Sequence, residues 1–524
     1  MQASLPMLPT LQITLRTGVH IAGWHQIRRF RPDIARQVRA DTIIPNPAYT
    51  KALRLGYQGR GIPRHIITGQ YNKQTRVLTL PMGYLVRLQQ FAAAAIDSVA
   101  DERITVPAPP VKNVIQLRDY QQPAVAAMLG SLHGRGVALL EAPPGSGKTE
   151  MGLEIAARLG QRTLWLTHTL DLANQVRRRA VERLGIPESD IGLIGDGKRR
   201  IGKFLTIGLI PTLARMDLDD SDLPLQFGTV ALDECHHSPA ETWARVIGSF
   251  PARYRFGVTG SLERRDGLQA ITHLIFGPTT YEISRTAVQL AASGQKGGVL
   301  PATLHTLRIK GDEFVPDAWR EYEAKENEYK RQLEAFNEGR IFTKPRKPRL
   351  QYNTIINELL ANEHRNRRIL EMLARIAPRR RTLVLSARVE HCQLLEEGLR
   401  RLRPQLRVAT IHGQQPATIR ESILRRAQEG ELDVLFSVNV AKEGLDVPCL
   451  DQLVFVAGGR DPIYIKQAVG RIQRTHPGKS NCIVWDIVDE DIGILKAQWW
   501  ARRRVYIELG MVQPRRRQAA PASS

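Results

Sequence analysis

Four side chains define the chemistry open to this chain. Lys148 and Thr149 close the run Val137-Ala-Leu-Leu-Glu-Ala-Pro-Pro-Gly-Ser-Gly-Lys-Thr149, and Asp233 and Glu234 stand together in Asp233-Glu-Cys-His-His237. A lysine ammonium meets phosphate oxygens as a compact charge, and a hydroxyl with a carboxylate suits Mg²⁺, a hard cation that takes oxygen ligands. A second carboxylate beside the first can orient or deprotonate an attacking water. The residues before Lys148 are Ala142, Pro143, Pro144, Gly145, Ser146 and Gly147. Glycines there let backbone N–H groups curl around phosphate oxygens without Cβ clashes, and a helix that starts at the loop adds a favourable dipole. The general phosphate-loop pattern places a glycine where Ala142 stands, a departure of one residue.

A second constellation lies far along the chain, in Gln467-Ala-Val-Gly-Arg-Ile-Gln-Arg474. The spacing i, i+3, i+4, i+7 predicts that Gln467, Gly470, Arg471 and Arg474 share one helical face. Two arginines so placed fit a γ-phosphate presented by another domain. About twenty residues before the phosphate loop comes Ile115-Gln-Leu-Arg-Asp-Tyr-Gln-Gln-Pro123. The Gln121 amide can both donate to and accept from an adenine edge. Cys235, His236 and His237 invite a zinc reading, but three adjacent residues cannot easily wrap one ion.

These residues need a particular scaffold. A continuous apolar run, a glycine-rich loop and the helical spacing of Thr149–Leu159 predict strand, phosphate loop and helix, with Gly160 ending the helix. Buried strands are predicted at Thr163–His168, Phe204–Ile210, Gly228–Leu232 and Tyr254–Ser261, so residues 113–305 form a doubly wound α/β domain. Asp233 would then stand at the C-terminal end of a parallel strand, where open α/β sheets bind ligands. The pattern restarts at Glu363, with strands at 382–386, 408–412, 432–437, 452–456 and 482–486, and makes a second domain over 363–508 without a phosphate loop of its own.

Between them, residues 306–362 read as a charged helical insertion or linker, ending in the basic, proline-broken Lys344–Arg349. Residues 1–108 read as an α+β accessory domain closed by the Pro-rich Val106–Val111. Strands are expected at Leu11–Leu15 and Arg76–Leu80, a helix at Tyr84–Val99, and a phosphate-contacting loop at Tyr57–His65. Residues 509–524 read as a basic disordered tail.

Composition narrows the partners. The formal net charge is +23, and residues 1–112 hold 15 Lys and Arg against 5 Asp and Glu. That balance points to a polyanion, nucleic acid before an anionic membrane surface, and the domain at 1–108 is a candidate DNA-binding unit. Cys235, Cys392, Cys449 and Cys482 are scattered without paired spacing. With no signal-peptide pattern and no apolar run of membrane-spanning length, a cytoplasmic protein is expected.

The ordered set resembles superfamily 2 helicases. It comprises Leu117–Gln121, Ala142–Thr149, Asp233–His236, Thr259-Gly-Ser261, Glu443-Gly-Leu-Asp446 and Gln467–Arg474. Within that superfamily the chain is most similar to the DEAD/DEAH-box-like DNA helicases related to the xeroderma pigmentosum group B and type III restriction subunits, over about residues 113–490. An alanine like Ala142 is the usual opening of that family's loop, and Glu263-Arg-Arg-Asp266 is loosely similar to a charged element of the group B type.

The resemblance implies two tandem RecA-like lobes with ATP and Mg²⁺ in the cleft between them. It implies nucleotide contacts from Arg118, Gln121, the loop Ala142–Thr149, Gly444 and Asp446, and metal contacts from Thr149 and Asp233. Catalytic roles would fall to Lys148, Asp233, Glu234, Gln467, Arg471 and Arg474, with Arg474 as the arginine finger. The implied activity is ATP-driven movement on DNA, single-stranded or forked, with strand separation, by a monomer or weak oligomer. A motor subunit that translocates without unwinding beside partner subunits in a restriction or defence complex stays open, as does an RNA helicase.

Overall fold

The computed structural model describes residues 10–54, 61–238, 241–260, 262, 267–284, 287–288, 300–438, 447–457 and 459–512. Outside the described residues lie Tyr57–Arg60 of the expected phosphate-contacting loop, Ser261, Glu263–Asp266, Glu443–Asp446 with Gly444 and Asp446, and the tail from residue 513. The chain folds as two compact units, Met1–Ala291 and Ala292–Ser524.

The first unit begins with β1 (Leu11–Leu15), β2 (Val19–Ala22), β3 (Ile43–Pro45), β4 (His65–Ile67), β5 (Gln70–Asn72), β6 (Val77–Leu80) and β7 (Ile96–Asp101). Five of these make a mixed sheet in the order β5-β6-β2-β1-β7, and β3 pairs with β4 alone. In β1 the side chains alternate, with Leu11, Ile13 and Leu15 buried, the pattern of a strand with one covered face. The cover is the helices Trp24–Phe30, Pro32–Thr42 and Tyr84–Ala92, through Trp24, Ile27, Ile34, Val38, Tyr84 and Leu88. The helix expected over Tyr84–Val99 stops at Ala92, and Ile96–Asp101 becomes β7, parallel to β1. Pairing with β1 overrides the helical reading there, and β-branched Ile96 and Val99 suit a strand.

An eight-stranded sheet follows, with β8 (Val137–Glu141), β9 (Thr163–Thr167), β10 (Gly192–Gly195), β11 (Lys198–Arg200), β12 (Leu205–Leu209), β13 (Thr229–Asp233), β14 (Tyr254–Thr259) and β15 (Tyr281–Glu282). Its order is β11-β10-β12-β9-β13-β14-β8-β15, and every pairing but β10–β11 is parallel. Leu164, Trp165, Leu166, Val230, Ala231 and Leu232 are all fully buried, so both faces of the central strands are covered.

The small mixed sheet is fastened to this larger one. Val137 and Leu274 enter its apolar core. Arg103 binds Asp101 at 2.7 Å and donates to the Arg135 carbonyl at 2.8 Å. The fully buried Arg255 donates to the carbonyls of Phe250, at 2.9 Å, and Thr17, at 3.4 Å. Its burial lowers the guanidinium pKa to about 10.

Among the described residues the second unit holds six strands: β16 (Ala302–Ile309), β17 (Thr382–Ser386), β18 (Val408–His412), β19 (Val434–Val438), β20 (Gln452–Phe455) and β21 (Cys482–Asp489). The sheet is entirely parallel, in the order β16-β21-β20-β17-β19-β18. Neighbouring residues of one strand serve opposite cores. Leu383, Leu385, Leu435, Leu453 and Phe455 enter one cluster, and Val384, Val434, Phe436 and Val454 the other. Sequence placed residues up to 305 in the first lobe and 306–362 in the insertion, yet β16 runs across that boundary and pairs with β21 along its whole length. The helices Asp317–Asn337 and Tyr352–Ala361 of the expected insertion are rooted in this unit, where Trp319, Ile355, Ile356 and Leu359 pack with Ile492 and Leu495.

Candidate active site

β8 ends at Glu141 and the helix Lys148–Leu159 starts seven residues on, with Gly145 and Gly147 both at φ +82° between them. Left-handed backbone at two positions in three residues needs glycine, and it turns the loop back on itself. The loop is anchored at its base, where the Ala142 N–H donates to the Thr259 carbonyl at 2.9 Å. It is also braced from outside, because the Ser146 carbonyl accepts from Gln121 Nε2 at 2.7 Å and from the Tyr120 hydroxyl at 3.1 Å. Gln121 Oε1 accepts from the Arg118 N–H at 2.9 Å, and Arg118 Nη1 donates to the Tyr120 hydroxyl at 3.0 Å. Gln121 is buried, so its amide holds the loop in place, a job the adenine-edge reading did not include. Tyr120 is a loop support that sequence reasoning missed, although it sits inside a motif singled out for Gln121.

Lys148 lies over the loop mouth. Its Nζ is 3.4 Å from the Ala142 carbonyl and 3.9 Å from Glu234 Oε1. Asp233 ends β13 with its carboxylate accepting from the Glu234 N–H at 2.9 Å. Glu234 follows at φ +50°, an uncommon conformation for a residue with a Cβ and one that marks strain held by its surroundings. Its Oε2 lies 3.3 Å from His236 Nδ1, and that nitrogen is 3.0 Å from the Thr259 hydroxyl. His236 therefore bridges the carboxylate pair to the end of β14. Sequence had set it in the Asp233–His236 motif and in a Cys-His-His trio weighed for zinc, without this bridging role, and among the described residues no His, Cys, Asp and Glu group of three or more could hold a metal ion.

The electrostatics separate the two carboxylates. Burial, and then the Glu234 charge beside it, pushes Asp233 above the usual carboxylate range. Burial acts on Glu234 in the same direction, but the Lys148 ammonium and His236 outweigh it and hold Glu234 below its ordinary value. A divalent cation at Asp233 would favour its charged form. The oxygens on hand fit such an ion and a phosphate chain: the Thr149 hydroxyl at the helix start, the Asp233 carboxylate, and Ser146 Oγ, buried without a hydrogen-bond partner.

The second unit carries the other predicted residues. Gln467, Gly470 and Arg471 lie on the helix Pro462–Ile472, with Gln467 buried and Arg471 half-buried. Arg474 is not on that helix, which corrects the single-face reading. Gln473 caps the helix, and its side chain and carbonyl are both taken by Leu300, each at 2.8 Å. That capture pulls the chain out of the helix one residue before Arg474.

Residues 114–264 match the family model "Type III restriction enzyme, res subunit", and residues 364–476 match "Helicase conserved C-terminal domain". The chain is 24% identical over 479 residues to a putative ATP-dependent RNA helicase of Acanthamoeba polyphaga mimivirus, covering 90% of this chain and 81% of that protein. It is 26% identical over 391 residues to the DNA 3'-5' translocase XPB2 of Sulfurisphaera tokodaii, covering 71% and 81%. The solved structure of S. cerevisiae Dbp5 bound to RNA and ADP BeF3 aligns with a TM-score of 0.51 at 14% identity, over 77% of this chain and 88% of that one. The chain is a superfamily 2 helicase. It resembles the XPB and type III restriction subunit group, and its two α/β sheets belong to RecA-like lobes. Superfamily 2 helicases are nucleic-acid-dependent ATPases, so this helicase is an ATP-driven motor on nucleic acid. No described helix is long and apolar enough to cross a membrane.

Proposed function

We propose that this helicase is a DNA translocase that separates strands, with ATP hydrolysed at the loop Ala142–Thr149. The observation that carries the reading is one cluster, in which the partly buried Lys148 and Glu234 converge with the buried Asp233 at the mouth of that loop. The loop N–H groups and the Lys148 ammonium bind the β- and γ-phosphates. Thr149 and Asp233 hold Mg²⁺, which when bound neutralises charge on the phosphate oxygens. Glu234, kept ionised by Lys148 and His236, accepts a hydrogen bond from the attacking water and aligns it with the phosphorus. Arg118, Gln121, Gly444 and Asp446 complete the nucleotide contacts. From the second lobe we assign Gln467 and Arg471 to the phosphates and Arg474 to the charge that develops on the transferred phosphoryl group.

DNA is favoured as the track by the net charge of +23 and by the relatives named as DNA translocases and helicases. The polyanion is bound largely through its backbone, which makes affinity fall with salt. The second reading, RNA, is favoured by the mimivirus relative's name. The match to a restriction subunit model supports a motor that works beside partner subunits and moves without unwinding. ATP turnover with single-stranded DNA, duplex DNA and RNA separates the tracks. Strand displacement measured beside triplex displacement separates unwinding from translocation. Lys148→Ala and Glu234→Gln should each abolish stimulated hydrolysis, and hydrolysis persisting in either purified variant would sink the mechanism.

A further inference from the structure

Five residues past Arg474 the chain places a lysine whose role neither the motifs nor the charge balance explains. Lys479 follows Thr475-His-Pro-Gly478, and its N–H donates to the His476 carbonyl at 3.1 Å while Gly478 sits at φ +81°. Proline then glycine at the two central positions, the glycine at positive φ, makes a type II turn. The turn sends the side chain back beneath the segment it has just left. There the Lys479 ammonium donates to three backbone carbonyls: Arg474 at 2.9 Å, Pro448 at 3.0 Å and Leu450 at 2.5 Å. An ammonium has three protons and no acceptor, so these three bonds use its whole capacity. Lys479 makes no ion pair among the described residues, and the nearby Asp451 carboxylate pairs instead with Arg380 at 3.1 Å.

The acceptors decide what this contact does. One is the carbonyl of Arg474 itself, two residues beyond the helix end at Ile472. The other two belong to the residues that lead into β20, and Pro448 stands two positions beyond Asp446. One ammonium therefore joins the backbone of the proposed finger to the backbone behind the other second-lobe motif. Cys449, between the two acceptors, is fixed as well, with its thiol donating to the Ala427 carbonyl at 3.0 Å. Three carbonyls converging on one point suit a compact ammonium, whereas a planar guanidinium presents its donors as a fork. A lysine placed only for surface charge would not be desolvated, and burial here lowers its pKa.

We propose that Lys479 is a positioning residue, which sets where Arg474 stands by tying its carbonyl to those of Pro448 and Leu450. This rests on the assignment of Arg474 as the group that stabilises the transferred phosphoryl.

The test is a double-mutant cycle on the full chain, read as nucleic-acid-stimulated ATP hydrolysis with kcat and KM separated. Lys479→Met should lower kcat by ~10-fold or more with KM for ATP changed less than ~2-fold, since ground-state binding is left alone. In the Arg474→Ala background the same substitution should add less than ~2-fold, because residues that act through one group are not additive. An unchanged kcat, or a double variant that falls by the product of the single effects, overturns the proposal. If Lys479→Met loses its cooperative unfolding transition, Lys479→Arg is read by the same two criteria, since it keeps the charge but not the three-way convergence. If Arg474→Ala itself leaves kcat intact, the finger assignment falls and Lys479 with it. If Arg474→Ala cripples turnover and Lys479 acts independently of it, the positioning role alone falls.

Discussion

The helix Lys148–Leu159 has a left-handed glycine at each end, Gly147 at φ +82° and Gly160 at φ +61°, and the pair permits a controlled test of the loop. An alanine in the left-handed region costs about 1–2 kcal/mol wherever it sits. A Cβ on Gly160 would meet nothing within 4 Å, so Gly160→Ala should show that strain alone. A Cβ on Gly147 would lie 2.5 Å from Gln121 Nε2, closer than real contacts allow. The Gln121 side chain must move, and it gives up its bond to the Ser146 carbonyl and its bond from the Arg118 N–H. At about 1 kcal/mol for each neutral hydrogen bond, the added cost is about 2 kcal/mol, or roughly 30-fold in an affinity that depends on the loop's shape. Titration of the full chain with a fluorescent ATP analogue, alongside thermal unfolding, reads both effects. Gly160→Ala should lower the unfolding midpoint and leave nucleotide affinity within about twofold. Gly147→Ala should weaken nucleotide binding by roughly 30-fold or more. Equal losses of affinity in the two variants would refute the bracing role given to Gln121.

Three further outcomes are expected. Arg474→Ala should cripple stimulated turnover, by ~10³-fold if it is a full arginine finger, while ATP binding is largely kept; parallel loss of both would contradict that role. His391 is buried between Ser386 Oγ, at 2.8 Å, and Asn366 Oδ1, at 3.0 Å, and burial holds its pKa down to about 3 against 6.5 when exposed. As pH falls below 6.5 the unfolded chain takes up a proton that the folded second unit refuses, so stability is lost progressively, by about 2 kcal/mol at pH 5. Denaturation at pH 7.5 and pH 5 should show that acid loss in the native chain and a smaller one in His391→Gln; identical acid loss would rule the histidine out. Affinity for single-stranded DNA should fall steeply and linearly on a log–log plot as salt rises, whereas a flat dependence would argue against a backbone-bound track.

The parts of the site that sequence made legible are those built from contiguous residues. The phosphate loop is strand, glycine turn and helix in one run, and Asp233 needed only the rule that ligands gather at the C-terminal ends of parallel strands. Both α/β sheets were visible because strands covered on two faces are apolar throughout. What stayed hidden was held by residues distant in sequence. Tyr120 and Gln121 brace the loop from 26 and 25 residues away, and His236 reaches Thr259 across 23. β7 was read as helix because its partner, β1, lies more than eighty residues earlier.

Arg474 shows why spacing alone misleads at a helix end. The i, i+3, i+4, i+7 pattern from Gln467 to Arg474 is correct as far as Arg471, where hydrogen bonds within the helix decide the geometry. Past Ile472 the helix competes with Leu300, which takes Gln473 through both backbone and side chain, and with Lys479, which takes the carbonyl of Arg474. The first of these partners is more than 170 residues away, and the second follows a turn set by Pro477 and Gly478. Freed from the helix, Arg474 is aimed by those tertiary bonds and not by helical periodicity. That makes its direction adjustable by residues that touch no nucleotide, and it is why the cycle on Lys479 and Arg474 bears on how this motor's second lobe is assembled as well as on catalysis.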